Sequence, residues 1–141
     1  MNLLLVRSHA ERQGLPEGDP RTEHVRTVLR LKVGDTLFVG EPNGRRGLAT
    51  LTADNAEGVR YEIDWETAPI KPQPLTLILG LPRPQTARKV LHDAASMGLR
   101  AIHVFQAEKG EPSYAESKLW HSDEWQRRLE EGAAQAFSTT I

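Results

Sequence analysis

Cysteine is absent from this sequence of 141 residues, and aromatic residues make up only 6% of it. Without cysteine there are no disulfide bonds, no thiolate nucleophile and no cysteine-rich zinc site. Apolar runs are short as well: none approaches the roughly 18 consecutive residues of a membrane-spanning helix, while 26% of the residues are charged. The composition therefore predicts a soluble globular protein with no membrane partner.

The amino terminus gives no sign of a secretory signal. Residues 3–6 are apolar, but there is no basic leader, no long hydrophobic segment and no small-residue cleavage site. A secretory signal combines all three features. We therefore expect a cytoplasmic location.

Neither charge sign is in excess, since 18 Lys and Arg residues stand against 19 Asp and Glu residues and the net charge is −1. The whole chain thus gives no electrostatic argument for a polyanionic partner. The signs do separate locally, because five cations fall within one window of 21 residues: Arg26, Arg30, Lys32, Arg45 and Arg46. Four carboxylates cluster later around a single Arg60: Glu57, Glu62, Asp64 and Glu66. One basic and one acidic surface would follow, and two ordinary solvated faces are the alternative.

A proline-rich segment divides the chain. Pro69, Pro72 and Pro74 fall within six residues, which excludes a helix and favours an extended, semi-rigid connector. We place a domain boundary there, which gives one domain at residues 1–72 and a second at residues 73–141.

Strand-like patterns dominate the first domain, at residues 3–6, 36–40, 48–52 and 59–65. In the last of these, Tyr61, Ile63 and Trp65 alternate with acidic residues, which is the period of a half-buried strand. Pro42-Asn43-Gly44 predicts a tight turn between two strands, because Asn-Gly tolerates positive φ. Together these patterns predict a small β-barrel or a curled sheet.

One helix is predicted to interrupt these strands. Asp19 is a suitable N-cap, and Pro20 suits the first helical position. Val25, Val28 and Leu29 follow at the spacing of one helix face, so we expect all three to lie in the core. The basic side chains of the same segment would then project elsewhere: His24, Arg26 and Arg30.

The second domain reads as a strand, a helix and a second strand. Residues 75–81 are almost continuously apolar, as expected for a parallel strand that is covered on both faces. A helical stripe follows and stops before Gly98: Ala87, Val90, Leu91, Ala94 and Ala95. Residues 101–105 form the next strand, which predicts a right-handed βαβ unit. A last helix from about Ser122 carries a further stripe: Trp125, Leu129, Ala133 and Ala136.

This second domain is predicted to be incomplete. Two parallel strands with two helices leave apolar strand surface uncovered, and parallel sheets occur almost only as larger, buried ones. Either a partner chain completes the domain, or the sequence ends before the domain does.

Familiar catalytic and metal-binding motifs are missing. There is no Gly-x-Gly-x-x-Gly after a strand and no P-loop, and the five dispersed histidines form no metal-binding spacing, so we expect no metal site. Ser113 and Tyr114 lie in a polar loop without an assignable His and carboxylate, which favours a plain surface loop. His103 alternates with Ile102 and Val104 in a strand and should point to the opposite face from them.

Four blocks of sequence nevertheless match a known family in order and separation. They are HVRTVLRLKVGD at 24–35, LILGLPRP at 77–84, ASMGL at 95–99 with IHV at 102–104, and GAAQA at 132–136. In these blocks the chain resembles the bacterial 16S rRNA uracil N3-methyltransferases of the SPOUT class. The likeness extends over essentially all 141 residues.

The resemblance implies a fold of class α+β or α/β, with a PUA-like β-barrel that holds RNA, followed by the beginning of an α/β-knot methyltransferase domain. It also implies a homodimer that transfers a methyl group from S-adenosylmethionine to N3 of a uridine in 16S rRNA of the small ribosomal subunit. By position, the family's RNA-facing residues are His24, Arg26, Arg30, Lys32 and Arg83, and the basic pair Arg45 and Arg46 lies in the same charged window. Leu81 and Pro82 would edge the cofactor pocket. The dimer contact would involve Leu129, Ala133 and Ala136, and no catalytic base is assigned.

The sequence departs from the family pattern at three points. Ser96 and Met97 replace a Glu-Leu that often precedes Gly98, which puts a polar role there in doubt. Phe137 stands where the family usually has an arginine, so a charged contact to substrate is expected to be lost. The family's later glycine-rich loop and knotted turn do not occur in the sequence, which implies an incomplete cofactor pocket.

Three functions therefore remain open for the 141-residue chain. The first is an rRNA methyltransferase. The second is a catalytically inert module that binds RNA and dimerises, because the cofactor-binding knot is missing. The third is a metabolite-binding protein that uses the strand end at Leu81 and Pro82.

Overall fold

The computed structural model describes residues 3–66 and 71–141. We refer to residues 3–66 as the barrel unit and to residues 71–141 as the α/β unit. The first two residues of the predicted connector, Pro69 and Ile70, lie outside the described residues.

The barrel unit contains five strands in one sheet of order β1-β3-β4-β5-β2. The first and third strands run parallel, and the other neighbours are antiparallel. The sheet curls into a half-barrel that stays open, with β1 and β2 as its two edge strands. The bounds of its strands are β1 Leu3–Leu5, β2 Gly14–Pro16, β3 Thr36–Gly40, β4 Arg46–Asn55 and β5 Gly58–Trp65.

One face of this sheet forms a continuous core. A bulge between Leu51 and Ala53 increases the local twist of β4 and helps the sheet to curl. The predicted alternation in β5 is confirmed: Tyr61 is buried, Ile63 and Trp65 are partly buried, and Glu62 and Asp64 between them face solvent. The residues that build the core are Leu4, Val6, Leu15, Val25, Leu37, Val39, Ala49, Leu51, Val59 and Tyr61.

The turns agree with the sequence patterns, and one strand was missed. Asn43 has φ 56° in the turn between β3 and β4, and Gly34 has φ 95° in the turn before β3. The missed strand is β2, which pairs Leu15 with Val59 at the edge of the sheet. Three residues are too few to carry a recognisable period.

The first helix begins where predicted, with Asp19 accepting a hydrogen bond from the backbone N–H of Arg21 at 2.8 Å. However, α1 covers only Pro20–Glu23, and the chain then winds into a π-helical turn at His24–Val28. The expectation that Val25, Val28 and Leu29 share the core is wrong for two of them: Val25 is buried, but Val28 is 63% exposed and Leu29 38% exposed. The wider turn, in which the Leu29 N–H bonds the His24 carbonyl, changes the angular spacing that the prediction assumed.

The α/β unit contains the predicted βαβ arrangement. Its two strands, β6 Gln73–Gly80 and β7 Leu99–Phe105, are parallel, and the helix between them is α2 Pro84–Ser96. Gly98 ends the segment after α2 with φ 67°. Pro74 belongs to β6, so the extended connector is shorter than predicted. Two further helices follow a single 3₁₀ turn at Pro112–Tyr114: α3 Lys118–His121 and α4 Glu124–Gln135.

The expectation that residues 75–81 are covered on both faces is wrong for this chain. The helices of the α/β unit lie on one face of the sheet, where Ile102 packs against Leu91 and Leu119. On the other face Ile78 is 71% exposed, beside His103, with which it pairs. Parallel pairing was therefore readable from the sequence, but the cover of the second face is absent from the described residues.

Helices α2 and α4 pack closely because one residue at their crossing has no side chain. A Cβ atom at Gly132 would lie 2.0 Å from the carbonyl oxygen of His92. The Ser96 hydroxyl donates to the Gly132 carbonyl at 2.9 Å across the same crossing. Arg88 and Glu124 add an ion pair at 2.6 Å. Ser96 thus has a packing role in a position where the family pattern often has glutamate.

The two units share an interface that the sequence patterns did not predict. Leu3 and Leu5 of β1 pack against Ala134 of α4 and against Ile141. The Thr139 carbonyl accepts a hydrogen bond from the Asn43 N–H at 2.6 Å. Thr139 also packs closely on Gly40, where a Cβ atom would lie 2.5 Å from the Thr139 side chain. The C-terminal segment therefore holds the outer face of the barrel sheet against α4.

Phe137 belongs to this interface. Its ring meets that of Phe38 edge-on at 5.1 Å between centroids, and its carbonyl accepts a hydrogen bond from Arg46 at 3.2 Å. Its φ is 55°, which a residue other than glycine adopts at a cost. The residue that departs from the family pattern thus ties the C-terminal segment to β3.

Residues 3–66 and 71–141 contain neither a membrane-spanning helix nor a metal-binding cluster. No helix among them is long and apolar enough to cross a bilayer. No three or more His, Asp or Glu side chains in the same ranges come together as a group that would hold a metal ion.

Candidate RNA-binding segment and strand ends

Three of the predicted RNA-facing residues lie on a short segment that is fixed at both ends: Arg26, Arg30 and Lys32. We call residues 26–33 the tip segment. On its N-terminal side Val25 is buried in the barrel core, and the Leu31 N–H donates to the Val25 carbonyl at 3.1 Å. On its C-terminal side the Gly34 N–H donates to the carbonyl of Leu51 in β4 at 2.8 Å. The barrel core therefore holds the tip segment in one position.

Arg26 does not project freely from this segment. Its guanidinium lies 2.7 Å from carboxylate oxygens of both Glu17 and Asp54, and it donates to the Asn55 carbonyl at 2.8 Å. The two carboxylates raise the pKa of Arg26 above its usual value. Arg26 thus ties the π-helical turn to the end of β4 and to Glu17 after β2, and its charge is already balanced.

Arg30 and Lys32 differ from Arg26 in this respect. Within the described ranges, neither side chain has an ion-pair or hydrogen-bond partner, and both are exposed. Arg30 has φ 55°, a left-handed conformation that glycine or asparagine adopts more easily. The backbone N–H of Lys32 donates to the Asp35 carboxylate at 2.8 Å, which uses that nearby acid within the loop. Two cations therefore remain available at the surface.

The five cations of the charged window do not form one cluster. Arg26 lies at the Asp54 end of β4, whereas Arg46 begins that strand. The ten residues of β4 separate these ends by about 30 Å. Closeness in sequence was misleading here because β3 and β4 carry the chain along the barrel and back.

Both arginines at the start of β4 have local partners. Arg46 pairs with Glu66 at 2.9 Å. Arg45 lies 3.4 Å from Glu41 and places its guanidinium 4.7 Å from the centre of the Trp65 ring. These contacts stabilise the end of the barrel at which β4 begins, and they compete with any phosphate for the same guanidinium groups.

His24, the first residue of the predicted RNA-facing set, turns inward. Its Nε2 atom is buried and has no hydrogen-bond partner among the described residues. A buried nitrogen without a partner costs free energy, and in this position the Nε2 atom is not presented to a phosphate at the surface.

Sequence reasoning missed Arg21, which holds the loop after β1. It contacts Asp19 at 2.7 Å, Glu11 at 3.1 Å and the carbonyl of Leu5 at 2.7 Å. The Arg21 guanidinium keeps the pKa values of both carboxyls below their usual range. Nothing in the local pattern marks Arg21, because two of its three partners, Glu11 and Leu5, are brought to it only by the fold.

The strand ends of the α/β unit supply the second predicted site. Leu81 and Pro82 are half-buried where β6 ends, and the Leu81 N–H donates to the Phe105 carbonyl at the end of β7 at 2.7 Å. The ring of Phe105 lies beside Gly80 and is half-exposed. Arg83 follows, exposed and without an ion-pair partner among the described residues. The carboxyl ends of the two strands thus present an apolar wall and one cation.

The residues predicted for the dimer contact divide between interior and surface. Ala133 is completely buried within the chain, and Leu129 is half-buried against the small core of the α/β unit. Ala136 is exposed after the end of α4. Leu129 also lines a cavity of about 460 Å³ with Trp120 and Trp125.

Comparison with known sequences gives matches to the α/β unit alone and to the chain as a whole. A family model described as an RNA methyltransferase domain matches residues 69–141, which is slightly more than half of the chain. Ribosomal RNA small subunit methyltransferase E of Treponema pallidum is 32% identical over 126 residues, covering 87% of this chain and 47% of that protein. Ribosomal RNA small subunit methyltransferase E 1 of Borreliella burgdorferi is 27% identical over 141 residues, covering 100% of this chain and 59% of that protein. The chain spans about half the length of these relatives.

Solved structures show the same fold. That of a ribosomal RNA small subunit methyltransferase E from Neisseria gonorrhoeae bound to S-adenosyl methionine superposes with a TM-score of 0.74 at 19% identity, covering 100% of this chain and 59% of the other. A predicted RNA methyltransferase from Thermotoga maritima gives a TM-score of 0.65 at 19% identity, covering 97% and 61%.

These comparisons confirm the family that the four sequence blocks indicated. The family model covers the whole α/β unit, and the relatives from two organisms align across the barrel unit as well. This chain belongs to the family of RNA methyltransferase domains.

Proposed function

We propose that this chain is part of an enzyme that methylates N3 of a uridine in 16S rRNA of the small ribosomal subunit, with S-adenosylmethionine as the methyl donor and the cytoplasm as its location. In this proposal the barrel unit is a PUA-like domain that holds RNA, and the α/β unit is the first part of a SPOUT knot domain. The observation that carries it is the alignment of the entire chain, both units in order, with a small subunit rRNA methyltransferase.

The strand ends of the α/β unit support a cofactor site in part. Ligands of open α/β sheets bind at the carboxyl ends of the strands, where Leu81, Pro82 and the Phe105 ring form an apolar wall. This wall fits one side of an adenosyl group, and the backbone near Gly80 leaves room, since a Cβ there would meet only Phe105 at 3.7 Å. S-adenosylmethionine supplies a methyl group on a sulfonium when it is bound. The chain's own part would be to orient the cofactor and to exclude water from one side.

The free cations support RNA binding by the barrel unit. Arg30 and Lys32 are the predicted residues with unpaired charges in the tip segment, and Arg83 adds one at the strand ends. Guanidinium groups bind phosphate oxygens with two hydrogen bonds, so an unpaired arginine is a better phosphate ligand than one that is held by two carboxylates. Arg26, Arg45 and Arg46 would then support the fold around the RNA site, or exchange partners when RNA binds.

A homodimer is the proposed assembly. The exposed face of the two-stranded sheet needs cover in water, which a second copy would provide in part. From α4, Leu129 and Ala136 are the predicted contact residues still reachable by a partner, because Ala133 is buried within its own chain.

Methyl transfer tests the proposed activity directly. Small ribosomal subunits that lack the modification are incubated with radiolabelled S-adenosylmethionine and this protein. We expect label at N3 of one uridine. No label in RNA, or label on another atom, would overturn the assigned reaction. Binding of RNA without any binding of cofactor would favour an inert module instead.

A pair of substitutions tests the RNA site. Arg30→Ala should weaken RNA binding and reduce the slope of log affinity against log salt concentration by roughly 0.7 to 0.9, the value for one lost phosphate contact. Arg26→Ala is the matched comparison, since it removes an arginine from the same segment whose charge is already balanced. We expect its salt slope to stay near that of the wild type. An unchanged slope for Arg30→Ala would remove Arg30 from the phosphate contacts.

A further inference from the structure

The tip segment combines features that its predicted phosphate contacts do not explain. Val28 is 63% exposed, Leu29 38% and Val33 59%, so three large aliphatic side chains face water within six residues. Isolated apolar residues on a surface are ordinary, but a group of three on one fixed loop marks a contact surface. The sequence pattern had assigned two of them to the core.

The backbone of this segment is also unusual. The π-helical turn at His24–Val28 is a rare geometry that is frequent at functional sites. Arg30 follows with φ 55°, a conformation that costs free energy for a residue with a side chain. Both features turn Val28 and Leu29 outward and lead Leu31 back to the barrel core. The fold therefore presents an apolar tip at a cost in free energy.

The charges around the tip indicate what it meets. Residues 24–34 contain no Asp or Glu. Of the nearby carboxylates, Glu17 and Asp54 are held by Arg26, and Asp35 accepts from the backbone of Lys32. Glu23, just before this range, is exposed and has no ion-pair partner among the described residues. Arg30 and Lys32 flank the aliphatic side chains and outnumber this one carboxylate, and the net positive charge favours a polyanion over an apolar protein surface.

We propose that Val28 and Leu29 form an apolar wedge that packs against, or inserts beside, an unpaired RNA base, while Arg30 and Lys32 hold the flanking phosphates. Leucine is one of the residues that proteins insert between base steps, and RNA loops offer bases that are already unstacked. The wedge selects single-stranded or distorted RNA over a regular duplex. It rests on the proposed RNA-binding function and adds the kind of RNA structure that is recognised.

Two RNA probes with equal numbers of phosphates test the wedge. One is a hairpin with 2-aminopurine in its unpaired loop, and the other is a blunt RNA duplex. We expect the wild-type chain to bind the hairpin about tenfold more tightly than the duplex, since partial burial of one leucine provides that much. We also expect the 2-aminopurine fluorescence to change when the chain binds, because contact with Val28 and Leu29 changes the environment of the unpaired base.

Leu29→Ser and Val28→Ser should each reduce the preference for the hairpin and the fluorescence change, with the salt slope unaltered. Both side chains are exposed, so the thermal midpoint should stay near that of the wild type. Leu48→Ser is the matched control, because Leu48 is a leucine of the barrel unit with 40% exposure on the outer face of β4. We expect it to behave as the wild type.

The outcomes separate the wedge from the function on which it rests. If Leu29→Ser and Val28→Ser keep the full hairpin preference and fluorescence change, the wedge is wrong and RNA binding still stands. If the wild-type chain binds hairpin and duplex equally, the wedge is wrong as well. If it binds neither RNA, the proposed RNA-binding function of the barrel unit fails together with the wedge.

Discussion

The sheet of the barrel unit covers one continuous core, whereas the sheet of the α/β unit leaves one face in solvent. Leu51 in β4 is 1% exposed, and Ile78 in β6 is 71% exposed, although β6 has the more apolar sequence of the two strands. Hydrophobicity alone therefore did not decide burial. What differs is the neighbouring structure: β4 lies between two partner strands under a shared core, and β6 has one partner strand and helices on one side.

This difference shows what an apolar strand pattern measures. It reports how much surface a strand needs to bury, and it does not report which part of the molecule supplies the cover. The predicted parallel pairing of β6 and β7 was correct because it depends on the strand and helix order, which is local information. The predicted two-sided burial failed because it depends on partners that the sequence pattern does not name.

The largest expected effect comes from shortening one leucine in each of the two sheets. Leu51→Ala should lower the free energy of unfolding by about 2–5 kcal/mol, because it leaves a cavity in the barrel core. Leu75→Ala, in the exposed part of β6, should change it by no more than about 0.5 kcal/mol. Urea unfolding of both variants measures the difference. A large loss for Leu75→Ala would mean that another surface covers β6 in solution.

The next effect concerns the packing of α2 on α4. Gly132→Ala should lower the free energy of unfolding by about 1–3 kcal/mol, because the helices must move apart to admit the methyl group. Gly80→Ala is the control, since its Cβ would meet only Phe105 at 3.7 Å. Thermal unfolding of the two variants provides the measurement. Equal stability of both would show that the helix crossing is looser than the structure indicates.

A smaller loss of stability is expected when the contact between the two units is weakened. Phe137→Ala removes the edge-on contact with Phe38, and we expect a loss of about 1–2 kcal/mol. Hydrogen exchange should also become faster at the Asn43 N–H, which bonds the Thr139 carbonyl of the same segment. Phe105→Ala removes a half-exposed ring elsewhere and serves as the control. Unchanged exchange at Asn43 would argue that Phe137 does not hold the units together.

The smallest effect is a pH dependence in the barrel unit. Arg21 lowers the pKa values of Glu11 and Asp19 in the folded state below their ordinary values of 4.5 and 3.8. Their stabilising effect is therefore complete above these ordinary values and is lost as the pH falls through the lowered ones.

Arg21→Met should flatten this acid limb of the stability curve by about 1 kcal/mol or less. Arg60→Met removes an exposed cation of the same unit that has no ion-pair partner among the described residues, and it should leave the limb unchanged. Urea unfolding between pH 6 and 3 makes the comparison. An identical acid limb for Arg21→Met would show that the Arg21 contacts do not contribute in solution.

Local sequence determined much of this molecule. The strands at residues 36–40 and 59–65, the cap at Asp19, the turn at Asn43 and the βαβ order all follow from periods and turn residues that act over a few neighbours. The family was likewise readable from four short blocks. Such features need no knowledge of distant contacts.

Tertiary structure decided which of the predicted site residues are free. Arg26 and Arg30 belong to one motif, yet Arg26 is held by carboxylates from two other parts of the chain and Arg30 is not. The docking of Phe137 on Phe38 likewise depends on residues far away in sequence. A periodic pattern can place a side chain on a face of its own element, but only the assembled fold determines what lies opposite that face.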